Sequence, residues 1–147
     1  MANLLRRIEL RHVHFMPKEL EPGMLYVTEE FGTAAHLCAC GCGEKVRTPL
    51  GPTGWTLKET SRGPSLWPSV GNWQKGCCSH YIIERGDIIW AGRWTPERVA
   101  RGRQAQQERD RAFYEALDRK RHNLWSRLWR WLRSIWAALR HAGNRDN

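Results

Sequence analysis

The chain has no apolar run near the roughly 20 residues that a bilayer-spanning helix requires, which argues against a polytopic membrane protein. It shows no targeting signal either. Met1-Ala-Asn-Leu-Leu-Arg-Arg7 gives way to charged residues before the apolar stretch of a leader can develop, so the expected compartment is the cytoplasm. Several enzyme signatures are missing: a phosphate-cradling Gly loop, a Gly-x-Ser-x-Gly elbow, a His-Glu-x-x-His helix, and the deaminase pairing of His-x-Glu with Pro-Cys-x-x-Cys. A disulfide framework is also missing. The five cysteines are odd in number, three of them alternate as Cys38-Ala-Cys40-Gly-Cys42, and two are adjacent, Cys77-Cys78. Crowded thiols in a reducing compartment read as metal ligands or reactive groups.

Acidic residues are scarce at one end. Residues 1–95 hold 11 basic and 9 acidic side chains, whereas residues 96–147 hold 13 and 6. The basic character therefore belongs to the tail. Tryptophan is abundant, nine in all, and four crowd between Trp125 and Trp136.

Residues 1–95 read as short strands between turns, with strands expected at 8–15, 24–28, 45–48 and 55–58. The clearest hairpin is Tyr81-Ile-Ile-Glu84 and Ile88-Ile-Trp90 around Arg85-Gly-Asp87. Residues 61–76, rich in Pro, Gly, Ser and Asn, read as loop. Thr95-Pro96-Glu97 is a helix start, with Thr95 as cap and Pro96 at the first helical position. Phe113, Leu117, Leu124, Leu128, Trp131, Leu132, Ile135 and Leu139 then recur at three and four, and Gly143 is the expected stop. The expected fold is α+β: a small zinc-stapled β-rich domain over 1–95, then a basic, Trp-rich helical tail over 96–147. The stretch 124–140 segregates Leu, Ile and Trp from Arg127, Arg130, Arg133 and Arg140, which suits packing or oligomerisation first and a membrane surface second, through residues 120–141. Nucleic acid is disfavoured, because readers of bases expose aromatics beside the charges.

The strongest chemical signal is His36-Leu-Cys38-Ala-Cys40-Gly-Cys42-Gly43 with Cys77-Cys-Ser-His80 downstream. Tetrahedral zinc takes four Cys or His ligands, and two local clusters would tie two loops around one ion. Cys38, Cys40, Cys42, Cys77 and His80 are the candidates for four places. The preferred set is Cys40, Cys42, Cys77 and His80, with Cys38 the nearest substitute. A structural zinc is the plainer reading; a catalytic one would need an open position and a base, with Glu29, Glu30 and Glu44 nearby in sequence. If a hydroxyl or thiol attacks instead, His36, Ser69 and a surplus cysteine are the candidates, with His80 as an alternative base and Ser65 and Ser79 as alternative hydroxyls. His12-Val-His14 resembles the His-x-His of zinc isopeptidases, but their downstream Ser and Asp are missing.

These motifs carry a resemblance. Phe31 to Glu44, Pro68-Ser-Val70, Cys77 to Tyr81 and the hairpin ending at Trp90 are similar to a family of small bacterial Cys/His proteins of unknown function, over roughly Leu10 to Trp94. Its members stand beside bacterial ubiquitin-like, E1-like and E2-like proteins. The resemblance implies a peptidase that processes or removes a ubiquitin-like modifier, with that modifier or its conjugating enzymes as partners. The alternative is a non-catalytic zinc adaptor that binds the same partners.

Overall fold

Short strands fold into two four-stranded sheets, with Met24–Thr28 and Thr33–Leu37 of the first buried on both faces. The computed structural model describes residues 4–142, with side chains as far as Trp136. The first sheet has the order β1 (Glu9–His12), β2 (Met24–Thr28), β3 (Thr33–Leu37), β4 (Lys45–Pro49), with β1 parallel to β2 and the other pairs antiparallel. The second is a fully antiparallel meander of β5 (Thr56–Thr60), β6 (Gly63–Gly71), β7 (His80–Glu84) and β8 (Asp87–Trp90). One core draws on both. Ile8, Leu25, Val27, Ala34, Cys38 and Val46 meet Leu66, Val70, Tyr81, Ile83 and Ile88. Period-2 patterning explains this: in β2, Leu25 and Val27 enter the shared core, while Tyr26 between them joins Leu20 and Ala35 on the other face. Backbone hydrogen bonds from Ile8 to Gly86 and from Ile88 to Arg6 lace the sheets together.

Two strands differ from the sequence reading. β3 lies where Ala-Ala-His gives no β-branched signal, and it forms because Ala34, Ala35 and His36 are buried between β2 and β4. β6 crosses the segment read as loop. Pro64 and Leu66 bury, and a register break between Leu66 and Val70 takes Trp67-Pro68-Ser69 out of regular pairing with β7, which frees Pro68 from donating to the ladder. The Trp67–Pro68 peptide is cis.

The helix α1 runs from Pro96 to Ala142 as one element of 47 residues. The Thr95 hydroxyl accepts from the Arg98 amide at 3.3 Å, and Glu97 places a carboxylate in the positive first turn. The chain divides into two units, Met1–Arg103 and Gln104–Asn147, so the first turns of α1 belong with the sheets. Gly143, read as the stop, lies outside the described residues, as do the side chains of Leu139 and Arg140. Among the described residues, no helix is long and apolar enough to cross a membrane.

Candidate active site

Ser69 sits in the irregular part of β6, the place where a strand can re-aim a side chain. His80 opens β7 opposite Gly71. The Ser69 Oγ and His80 Nε2 are 2.9 Å apart, and His80 Nδ1 lies 2.8 Å from the Gly92 carbonyl oxygen. The second contact fixes the first. A carbonyl can only accept, so Nδ1 carries the proton, and in the neutral imidazole Nε2 then offers its lone pair to the serine O–H. That is the tautomer a general base needs. Aromatic rings hold the imidazole: Trp73 and Trp94 lie with centroids 5.0 and 5.3 Å from it and stack on each other at 5.6 Å. The Arg98 guanidinium covers Trp94 at 4.5 Å. Gly71 is required here, because a Cβ on it would overlap the Trp73 indole.

Close by along the chain is a sulfur cluster. The Sγ atoms of Cys38, Cys40, Cys42 and Cys77 all lie within 4.8 Å of one another, with Cys38 3.4 Å from Cys40 and 3.9 Å from Cys77. Zn–S bonds of about 2.3 Å in a tetrahedron set sulfurs about 3.8 Å apart, so the donor set fits one four-coordinate ion. Gly41 and Gly43, at φ of 78° and 80°, supply the left-handed turns that let alternating cysteines converge. Around the sulfurs, the Asn72 amide nitrogen donates to Cys38 Sγ at 3.3 Å and to the Ser79 hydroxyl at 2.9 Å, and Ser79 lies 3.0 Å from Cys38 Sγ. Burial pushes the Cys40 thiol up to about 12, helped by its hydrogen bonds with Cys42 and Cys38. Burial acts on Cys77 in the same direction, but hydrogen bonds with the Ser79 hydroxyl and amide, together with those of Cys40 and Cys42, outweigh it and bring that thiol down to about 7.

The structure distributes the expected site residues between these two centres. Cys38, Cys40, Cys42 and Cys77 converge. His80 does not join them: both its nitrogens are engaged by Ser69 and Gly92. The Cys-x-x-His spacing suggested a ligand pair, but a turn at 75–78, closed by the Cys78 amide on the Lys75 carbonyl, separates the directions of Cys77 and His80. Cys78 takes a φ of 45° there, and its sulfur faces the Lys75 carbonyl. Ser69 is paired with His80, not with His36. His36 is fully buried, its Nε2 is 2.8 Å from the Tyr81 hydroxyl, its Nδ1 has no partner, and burial holds its pKa down at about 4. Of the other hydroxyls, Ser65 accepts from the Arg85 amide and Ser79 belongs to the sulfur network. Glu44 pairs with Lys75, while Glu29 and Glu30 face His12 and His14 on the surface. The sequence reading missed the Gly92 carbonyl, which no side-chain pattern reveals, and Asn72, Trp73 and Trp94, whose sole signal was their closeness to the motif.

A family model described as the bacterial ubiquitination-like system serine protease (BubE) matches residues 12–91. The chain belongs to the BubE family. That agrees with the resemblance to small bacterial proteins of ubiquitin-like systems, and the matched span contains Ser69, His80 and the four converging cysteines. No curated protein and no solved structure matches the chain.

Proposed function

We propose that the protein is a serine peptidase that cleaves at the C-terminal tail of a ubiquitin-like modifier, with Ser69 as nucleophile and His80 as base. The observation that carries this is the Ser69–His80–Gly92 relay, in which a backbone carbonyl takes the orienting place that an acid fills in the Ser-His-Asp arrangement. The family description, a serine protease of a ubiquitination-like system, supports both the nucleophile type and the substrate class.

The steps follow from the geometry. Nε2 removes the Ser69 proton as Oγ attacks the scissile carbonyl carbon, and the imidazolium so formed keeps its Nδ1–H on the Gly92 oxygen. Collapse of the tetrahedral adduct breaks the C–N bond, and Nε2–H protonates the departing amine. An acyl ester remains on Ser69. Water then attacks it, giving a proton to Nε2, and Ser69 regains its hydrogen as the carboxylate product leaves. Trp73 and Trp94 hold the ring in line throughout.

In this reading Cys38, Cys40, Cys42 and Cys77 would hold a structural zinc, which would supply folding stability through its four thiolate ligands. It would anchor the segment Cys77–His80, which carries the base three residues beyond the last ligand.

Incubation with the modifier precursor, followed by mass spectrometry, tests the proposal. A single C-terminal scission by the parent protein is expected, lost in Ser69→Ala and in His80→Ala, together with covalent fluorophosphonate labelling at Ser69. Tight binding to an intact precursor with no labelling would replace the peptidase with an adaptor.

A further inference from the structure

The second unit carries a surface that peptidase chemistry does not use. Along α1, residues 96–118 balance five acidic against five basic side chains, whereas residues 119–136 contain six basic residues and no acidic one. From Leu124 to Trp136 the helix covers about 20 Å. Leu124, Trp125, Leu128, Trp129, Trp131, Leu132, Ile135 and Trp136 occupy one continuous arc of about 160°. Trp129 marks one edge of that arc and Trp131 the other. Ser126, Arg127, Arg130, Arg133 and Ser134 fill the opposite side, and the two serines return their hydroxyls to the helix's own carbonyls, at Asn123 and Trp131. Trp125, Trp129, Trp131 and Trp136 are each more than half exposed. Among the described residues, Arg119, Lys120, Arg121, Arg127, Arg130 and Arg133 form no ion pair.

We propose that residues 119–136 bind an anionic lipid surface, with the helix lying in the plane of the interface. Three observations converge on lipid. The segment is too polar on one side to cross a bilayer, which leaves the in-plane orientation. Indoles at both borders of the apolar arc match the headgroup depth at which Trp partitions. The uniform positive charge has no carboxylate to meet within the segment. A second copy would bring like charge to like charge, whereas anionic headgroups supply the missing sign. The apolar arc would enter the acyl boundary while Arg127, Arg130 and Arg133 stay among the headgroups.

The test uses the full chain and phosphatidylcholine vesicles with and without phosphatidylserine, read by flotation and by Trp emission. Binding to the anionic vesicles with a blue shift, weakened by salt, is expected. Replacing Arg127, Arg130 and Arg133 together by Gln should lower partitioning about a hundredfold, since each basic residue at such a surface contributes about fivefold. The triple change Trp125→Ala, Trp129→Ala, Trp136→Ala should abolish the blue shift. Circular dichroism of both variants confirms that the helix is retained. Equal binding to both vesicle types, no binding to either, or a stable oligomer whose Trp emission is blue without lipid and indifferent to it would each overturn the proposal.

Discussion

Removing one sulfur from the cysteine cluster is the most informative perturbation of the sheet unit. Structural zinc in small domains contributes about 10–16 kcal/mol of apparent binding energy; if the proposed zinc is shared among the four converging sulfurs, one ligand would be worth about 2.5–4 kcal/mol. A domain of this size moves its melting point by about 4–8 °C per kcal/mol. Cys77→Ala should therefore lower the Tm of the sheet unit by about 10–32 °C. Cys38→Ala should cost at least as much, because Cys38 is fully buried and its loss also leaves an Asn72 amide N–H without its sulfur acceptor. The assay is thermal unfolding followed by near-ultraviolet circular dichroism, with bound zinc measured on the same samples. Chelation of the parent protein should give an apo form with the same phenotype and parallel loss of peptidase activity, reversed by zinc. A chelated protein that melts within about 5 °C of the parent and still cleaves would refute the claim that metal and fold are coupled.

Other outcomes follow from the same contacts. Ser69→Ala and His80→Ala should each lower kcat/KM by about four orders of magnitude, and the double variant should fall little further, because the pair acts as a unit; full additivity would show that they do not. Gly71→Ala should displace the Trp73 indole and release His80, reducing kcat by about 10- to 100-fold with zinc content unchanged, as steady-state kinetics and elemental analysis can check. Tyr81→Phe should leave the buried His36 imidazole without its remaining hydrogen bond and cost about 1–3 kcal/mol, read as a lower urea midpoint at unchanged m-value.

What could be read in the sequence had strong local physics behind it. The hairpin of β7 and β8 announces itself through β-branched runs around Arg85-Gly86, and α1 through Thr95-Pro96 and its three-and-four spacing. Alternating cysteines among glycines pointed to a converging turn, and four of the five proposed ligands do converge. β3 escaped because Ala and His carry little strand propensity, so only its neighbours on either side make it a strand. β6 escaped because Pro and Gly normally break ladders, and the irregular pairing that accommodates them is a tertiary feature. The different placements of His36 and His80 were equally hidden. His36 precedes Cys38 by two and His80 follows Cys77 by three, yet only long-range packing seals His36 in the core beside the Tyr81 hydroxyl and places His80 against β6.

The Gly92 carbonyl has a consequence for how this site tolerates change. A side-chain acid can be lost through one nucleotide substitution, but a peptide oxygen survives every replacement of the residue that bears it. Any substitution at position 92 that preserves the local backbone still presents an acceptor to Nδ1. In the proposed relay, an alanine scan would therefore find two indispensable members, not three, and the orienting group would leave no trace in it. Replacing the amide that follows Gly92 by an ester, through protein semisynthesis, weakens that oxygen as an acceptor without altering any side chain, and so reaches the member of the relay that ordinary mutagenesis cannot.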